Sequence, residues 1–279
     1  MKKLFQSMAD TNLCNEIHKY VYGESRSIMK KFLLIIATSL IVTGCASLKN
    51  TDQTQIPKTN EKEETIKHYN YRDKISSESI DIATVSADQS IDISDVNQLR
   101  DFDSNVFIGT VESIDGCSTT AAENAFNPIP YEYGKISVLK NLKGQTNSNT
   151  INFARNGGVI SIADYEKNAP KEMIENDDKH RKEAGQEKID KASTYVELRY
   201  ENDIILETGK TYLFFMNYVS STNTYIVNGV QYGTREIYQP SSKSSLFREL
   251  PNESTLQVKN NDTGEFESLD EFIDLYFPS

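Results

Sequence analysis

The sequence predicts a mainly β (α+β) domain, a small antiparallel barrel flanked by a short N-terminal helix and a C-terminal amphipathic helix. Three observations predict it. Short apolar runs with strand character recur between residues 106 and 227, turn signals separate them, and helical apolar spacing is confined to the two ends of the domain. A chain of 279 residues is long enough for one such domain with appendages.

The first elements are two weak strands and a short helix. Alternating isoleucines at 80–82 and at 91–93 predict edge strands. Ser94 fits the N-cap of a helix over 96–102, whose apolar residues Val96, Leu99 and Phe102 form one stripe. These segments are expected to cover the barrel rather than to form it.

Three strands follow. The run 106–111 is a strong strand, and Gly109 inside it indicates a bend or a close backbone approach. A second strand is predicted at 136–139 and a third at 150–153, which the turn signal Asn156-Gly157-Gly158 ends.

A charged stretch, 159–193, interrupts the strands and is expected to be a partly helical insertion. Strands resume with alternation over 196–200. The run 211–216 is apolar on both faces, which predicts a central strand. A strand at 225–227 follows, and Asn228-Gly229 is expected to close a hairpin.

The last element is the amphipathic helix. Leu269, Phe272, Ile273 and Tyr276 recur at helical spacing after Ser268. Ser268 and Glu271 together predict a capping box. The apolar face should pack on the barrel.

The strand layout is similar to OB-like barrels of the netrin and metalloproteinase-inhibitor type. The segments 106–111, 138–144 and 206–213 look like strands of that group, and the resemblance covers about 106–238. Those inhibitors use a free N-terminal cysteine and several disulfides. Here Cys45 would be acylated and Cys117 has no disulfide partner, so protease inhibition by that route does not carry over.

An export signal precedes the domain. A basic start at 29–31 is followed by an apolar run over 32–42, too short for a membrane span of about 20 residues. The run ends in a motif that resembles the lipobox of bacterial lipoproteins, Val42-Thr43-Gly44-Cys45. The resemblance implies cleavage between Gly44 and Cys45 and a diacylglyceryl group on the Cys45 thiol.

The domain organisation follows from this signal. Residues 1–28 are interpreted as an over-extended start upstream of Met29, the alternative being a genuine extended n-region. Residues 29–44 form the signal peptide, and the polar stretch 45–79 is expected to be a disordered tether. The β-rich domain then occupies 80–279.

The charge balance restricts the partners. The net charge is -11, and removal of residues 1–44 leaves 24 basic and 38 acidic residues, a formal charge of -14. Nucleic acid is therefore not an expected partner, because phosphate binding relies on Lys and Arg. Attachment to the outer side of the cell membrane is expected through the lipid on Cys45 alone.

The sequence offers no catalytic motif and no metal site. A calcium-loop spacing at Asp101, Asp103, Asn105 and Glu112 lacks the required glycine, since Val106 stands at that position. Cys117 is a lone thiol, expected to be at the surface or half-buried. Acidic residues that folding could pair into acid/base roles are Glu132, Glu197, Asp203 and Glu207, and no spacing selects any pair.

Tyrosine is the residue type that stands out in the composition, with 15 copies. Those near predicted strand ends could form a peptide- or glycan-binding face: Tyr131, Tyr133, Tyr225, Tyr232 and Tyr238. The interpretation that the sequence favours is that they are half-buried barrel residues with solvated hydroxyl groups.

The function expected from these observations is a non-enzymatic, lipid-anchored envelope protein that binds an envelope protein or a cell-wall partner without a cofactor. The alternatives are an envelope hydrolase that uses loop carboxylates, or an inhibitor or immunity-type lipoprotein.

Overall fold

The computed structural model describes residues 68–77, 80–86, 89–122, 125–185 and 188–278. The predicted over-extended start, the signal peptide 29–44 and the lipidation site Cys45 lie outside these residues. So does most of the predicted tether.

The described chain is mainly β with a few helices. The strands are β1 (Tyr69–Asn70), β2 (Ile80–Val85), β3 (Asn105–Ser118), β4 (Tyr131–Lys143), β5 (Thr150–Asn156), β6 (Gly158–Ser161), β7 (Tyr195–Tyr200), β8 (Thr211–Val219), β9 (Thr224–Val227), β10 (Thr234–Tyr238), β11 (Gln257–Lys259) and β12 (Phe266–Ser268). The helices are α1 (Val96–Phe102), α2 (Ile162–Glu166), α3 (Lys171–Glu183) and α4 (Leu269–Tyr276). Short 3₁₀ turns lie at Tyr71–Lys74, Val230–Gly233 and Glu253–Thr255.

The strands form two sheets. A nine-stranded sheet has the order β1-β3-β4-β5-β9-β8-β10-β11-β12, and β3 also pairs with β8. The five strands β3, β4, β5, β9 and β8 therefore pair in a ring. A second sheet has the order β2-β7-β6.

This architecture corrects the prediction of a small antiparallel barrel, because the sheets are large and mixed. The large sheet is mixed, because β1 is parallel to β3 and β5 is parallel to β9. Four further strands extend it beyond the ring. The predicted strand at 196–200 is β7, which pairs in the second sheet instead.

The seam between β3 and β8 has a core on each side. Phe107 and Phe214 point into a cluster that draws residues from all five ring strands. The next residues along the strands, Ile108 and Leu213, point the other way, where Leu269 of α4 packs. This alternation is the period of a β-strand, and it explains why the run 212–216 is apolar on both faces. The predicted packing of the C-terminal helix is confirmed.

A polar contact crosses the same seam. The hydroxyl groups of Thr110 and Thr211 lie 2.7 Å apart, and Thr110 also donates to the carbonyl oxygen of Phe247 at 2.8 Å. Both threonines are buried, so these bonds satisfy hydroxyl groups that water does not reach. Gly109 lies beside them, and a Cβ there would stand 2.6 Å from Ile136 Cγ2. The predicted close approach at Gly109 is confirmed.

Several predicted boundaries are corrected. The tether prediction for 45–79 is wrong for its last part, because residues 69–74 form β1 and a 3₁₀ turn. The predicted insertion begins with the buried strand β6 before its two helices, α2 and α3. Residues 91–93 are not a strand; Ile91 and Ile93 pack against the cluster that includes Leu99.

Two predicted caps and one hairpin also differ from the structure. Asp95, not Ser94, caps α1, and its side chain accepts from the amide of Asn97 at 2.8 Å. Ser268 precedes α4 but donates to Asp270 instead of forming the predicted capping box. Asn228-Gly229 closes no hairpin, because β9 and β10 both pair with β8 and not with each other.

Candidate functional site

Two of the five tyrosines predicted to form a binding face are buried. Tyr131 accepts a hydrogen bond from Asn127 Nδ2 at 2.7 Å, and Tyr225 accepts one from the amide of Asn147 at 3.0 Å. Tyr225 belongs to the core of the ring. The prediction of a five-tyrosine face is therefore corrected: the strand pleat turns these two rings inward.

The other three tyrosines have local roles. Tyr133 is exposed on β4. The Tyr232 hydroxyl donates a hydrogen bond to the carboxylate of Asp262. The centroids of the Tyr238 and Phe266 rings lie 5.2 Å apart. These contacts connect neighbouring strands and turns, and none of them gathers the tyrosines at one place.

A buried ion network joins the two sheets. Arg72, in the 3₁₀ turn after β1, donates Nε to Glu132 Oε1 at 2.6 Å and Nη1 to Glu197 Oε1 at 2.9 Å. Glu132 lies on β4 and Glu197 on β7, and their side chains are only 3% and 9% exposed. Folding thus brings together two of the four acidic residues that no spacing could pair.

Cys117 lies beside this network. Its sulfur is 3.7 Å from the carbonyl oxygen of Gly157, and the thiol is a half-buried free cysteine, as expected. Burial and then the negative charge of Glu132 raise the pKa of the Cys117 thiol. A protonated thiol is a poor nucleophile, so this residue is unsuited to covalent catalysis.

A second ion pair borders the same region. Arg155, at the end of β5, donates Nη2 to Asp203 and Nη1 to the carbonyl oxygen of Ile204 at 2.5 Å. Burial raises the pKa of the Asp203 carboxyl, against the opposing effect of Arg155. The pair is close to neutral as a unit, because each charge has its opposite in direct contact.

Two cavities meet at Arg155, Asn156 and Asp203. The first, called the main cavity below, has a volume of about 140 Å³. The second, called the small cavity, has about 10 Å³ and also borders Arg72, Glu132 and Glu197. The small cavity has room for about one water molecule.

The lining of the main cavity combines apolar and polar residues. The apolar residues are Ile91, Ile93, Leu99, Phe102, Val227 and Val230. The polar residues, called the polar wall below, include Arg155, Asn156, Tyr200, Asp203 and Asn228. This mixture of apolar surface with a few polar groups is typical of small-ligand sites.

Two residues of the polar wall also contain polar atoms that lie beneath the surface, out of reach of solvent. Arg155 Nε and Asn156 Oδ1 are buried and have no hydrogen-bond partner among the described residues. The Tyr200 hydroxyl also has none there, and burial raises the pKa of Tyr200 to about 12, so it remains a donor. Buried polar atoms without partners are rare, which marks this wall as unusual.

A strained turn forms one rim of the main cavity. Val230 has φ 50°, a left-handed conformation that is costly for a β-branched residue, and it follows Gly229 at φ 78°. Asn228, in the same turn, donates Nδ2 to the buried carboxylate of Asp103. Burial raises the pKa of Asp103 to about 7, and its Oδ2 has no partner among the described residues.

Sequence reasoning missed Arg155, Asn156 and Tyr200. Asn156 fits a turn signal, and Tyr200 is one position of an alternating strand. The available signal was Arg155 itself, a charged residue that directly follows the apolar pair Phe153-Ala154 at the end of a predicted strand.

The described residues contain no group of three or more His, Cys, Asp or Glu that could hold a metal ion. No helix within them is long and apolar enough to cross a bilayer. The sequence matches no known family profile, no curated protein and no solved structure.

Proposed function

We propose that the protein is a lipid-anchored, extracytoplasmic binding protein that holds its ligand in the main cavity and performs no chemistry on it. The lipobox Val42–Cys45 supports the location. The observation that carries the binding role is the main cavity itself, which opens to the surface at Gln89, Ser90 and Phe102 and is lined by apolar and polar residues together.

The finer fold assignment belongs to the same proposal. The pairing order β3-β4-β5-β9-β8, with β8 returning to β3, supports an OB-like barrel of five strands. The main cavity is then a side pocket, bordered by the ends of β5, β7 and β9 and by the segment that leads into α1.

The alternative of a hydrolase draws on one observation, the convergence of Glu132 and Glu197. The guanidinium of Arg72 bonds both carboxylates, so it occupies the space that a substrate would need. The adjacent small cavity holds about one water molecule and no sugar or peptide. Binding is therefore favoured over hydrolysis.

The proposal is tested by a substitution that blocks the opening of the main cavity with a larger side chain. Ser90 is an exposed residue of its wall, and Ser90→Phe would place an aromatic ring at the opening. Ser86→Phe is the matched control, because Ser86 is exposed in the same segment but does not line the cavity. Binding of a small apolar compound such as isobutyl acetate is followed by protein-detected NMR on the chain carrying Cys45→Ser.

We expect isobutyl acetate to shift the NMR resonances of Leu99, Asn156 and Gly229 in the parent chain and in Ser86→Phe. Its affinity for Ser90→Phe should be at least five-fold lower than for the parent chain. Absence of binding to the parent chain, or equal binding by both phenylalanine variants, would count against a ligand site in this cavity.

A further inference from the structure

An uncharged surface lies at one end of the ring of five strands. The loop between β4 and β5 meets the turn between β8 and β9 there, since Asn147 Nδ2 donates to Asn223 Oδ1 at 2.8 Å. The sequence has no Asp, Glu, Lys or Arg within 144–154 or 211–234, although 25% of the whole chain is charged. Most of the exposed residues in these two segments are carboxamides and hydroxyls: Gln145, Asn147, Ser148, Asn149, Thr150, Asn152, Ser220, Ser221 and Asn223.

Tyr218 is the exposed aromatic residue of this surface. Its side chain is 39% exposed, and its ring lies against the buried ring of Tyr225, its cross-strand neighbour on β9, with centroids 4.8 Å apart. Asn147 Nδ2 donates to the Tyr218 hydroxyl at 3.3 Å, and that hydroxyl donates to Asn223 Oδ1 at 3.0 Å. The ring is therefore held at one side and at its tip. Tyr218, Asn147 and Asn223 are called the Tyr218 platform below.

The two carboxamides of the Tyr218 platform keep hydrogen-bonding capacity for a ligand. The backbone amide of Asn147 donates to the Tyr225 hydroxyl at 3.0 Å, which fixes the loop above the core. Asn147 Oδ1 and Asn223 Nδ2 have no hydrogen-bond partner in the part of the chain that the structure describes. Both residues are exposed, so the pair combines an acceptor with a donor at the protein surface.

This combination of groups matches the chemistry of a neutral sugar. Each sugar hydroxyl both donates and accepts, so adjacent hydroxyls can donate to one carboxamide and accept from the other. The C–H groups on one face of a pyranose ring can pack against an aromatic ring. A charged ligand would find no opposite charge within the two segments, and desolvation of an unpaired charge is costly. Lys135 pairs opposite Asn152 at the border of this surface, so the test must include an acidic sugar.

We propose that the Tyr218 platform binds a neutral oligosaccharide, one pyranose ring against Tyr218 and its hydroxyl groups against Asn147 and Asn223. The hydrogen bonds among these three residues already exist without a ligand, which lowers the entropic cost of ordering them when a sugar binds. None of the three lines the main cavity. The inference therefore goes beyond the proposed function, and either of the two sites can fail on its own.

The test uses protein-detected NMR titrations of the chain carrying Cys45→Ser. Cellotriose, maltotriose and tri-N-acetylchitotriose are the neutral probes, which differ in linkage and in substituents. Trigalacturonate is the acidic probe of the same length. Affinities in the millimolar range are expected for ligands of this size at an open surface.

We expect at least one neutral trisaccharide to shift the resonances of Tyr218, Asn147 and Asn223 and to leave those of Leu99 and Gly229, at the main cavity, unchanged. Intermolecular NOEs should connect the sugar C–H protons to the ring protons of Tyr218. Trigalacturonate should bind at least five-fold more weakly than the best neutral probe.

Variants separate stacking from the hydrogen bonds. Tyr218→Ala should weaken binding of the neutral sugar at least five-fold, whereas Tyr218→Phe keeps the ring and should bind within about three-fold of the parent chain. Tyr133→Ala is the matched control, because Tyr133 is similarly exposed, at 36%, and lies near the other end of β4. If Tyr218→Ala does not fold, Asn223→Gly replaces it: φ is 50° at Asn223, which glycine adopts readily, and loss of the carboxamide should weaken binding at least three-fold.

Absence of binding by all three neutral probes, trigalacturonate binding as tightly as they do, or equal affinity of Tyr218→Ala and the parent chain would overturn the glycan assignment. Ser90→Phe, which blocks the main cavity, should bind the sugar as the parent chain does. A five-fold loss of sugar affinity in Ser90→Phe would place the sugar in the main cavity and overturn the separate site.

Discussion

Arg72 Nε lies 2.6 Å from Glu132 Oε1, and this bond connects a turn that the sequence assigned to a disordered tether with a central strand of the large sheet. The same guanidinium bonds Glu197 of the second sheet. One side chain thus forms ion pairs with two buried carboxylates that belong to different sheets.

Replacement of Arg72 by alanine should therefore be severely destabilising. It leaves Glu132 and Glu197 buried without their cation, and breaking a buried ion pair from one side costs about 3–5 kcal/mol. Urea unfolding measures the loss. Lys74→Ala is the control in the same turn, where the exposed side chain should change stability by less than about 0.5 kcal/mol. A loss below about 1 kcal/mol for Arg72→Ala would contradict the role assigned to the network.

Asp103 predicts a specific pH dependence of stability. Burial raises the pKa of its carboxyl from 3.8 to about 7, so the folded state retains a proton that the unfolded chain has released. The contribution of Asp103 to the free energy of unfolding should therefore be most favourable below about pH 4. It should fall by up to about 4 kcal/mol as the pH rises to about 7. Asp103→Asn should remove this decline, and should be the more stable chain at pH 8.

The control for this measurement is Asp101→Asn. Asp101 is exposed, and its hydrogen bond from Arg100 lowers the pKa of its carboxyl. The decline between pH 4 and pH 7 should persist in Asp101→Asn. If Asp103→Asn follows the parent profile within error, the buried carboxyl does not titrate as assigned.

Gly229 should not tolerate a side chain. Its φ of 78° is unfavourable for alanine, and a Cβ would lie 2.9 Å from Leu99 Cδ1. Gly185→Ala is the matched control, because φ is 72° there and a Cβ would have nothing within 4 Å of it. We expect about 1 kcal/mol of destabilisation for Gly185→Ala and about 2–4 kcal/mol for Gly229→Ala, measured by urea unfolding. Equal losses would mean that Leu99 moves aside freely.

Cys45→Ser tests the anchor. Two acyl chains on Cys45 would hold the protein stably at a membrane, since each buried methylene contributes about 0.8 kcal/mol. The serine variant should be released or remain unprocessed, as shown by membrane fractionation and metabolic labelling with a fatty acid. Membrane association at the processed size in Cys45→Ser would contradict lipidation.

The sequence predicted those elements whose pattern is local. The strands β3 and β8 and the helix α4 carry long apolar periodicities, and each lies where the pattern indicates. The strands β11 and β12 have three residues each, too few to show a period. Tyr69–Asn70 became a strand only because β3 offers a parallel partner, which no local pattern encodes.

The site was less predictable than the fold because its residues come from distant segments. Glu132, Glu197 and Asp203 were recognisable as candidate acids, but their pairing with Arg72 and Arg155 depends on how two sheets meet. Arg155 could have been noticed as a charge directly after the apolar pair Phe153-Ala154. The buried atoms of Arg155 and Asn156 that have no partner among the described residues are not indicated by any sequence spacing.

The bond between Thr110 and Thr211 joins positions 101 residues apart. A loop of that length must be closed before β3 meets β8, and such non-local pairing slows folding. During synthesis the ring cannot form until β8 and β9 have left the ribosome. For most of its translation a nascent chain of this protein therefore lacks the paired ring, and its strands β3, β4 and β5 have no complete core to pack into.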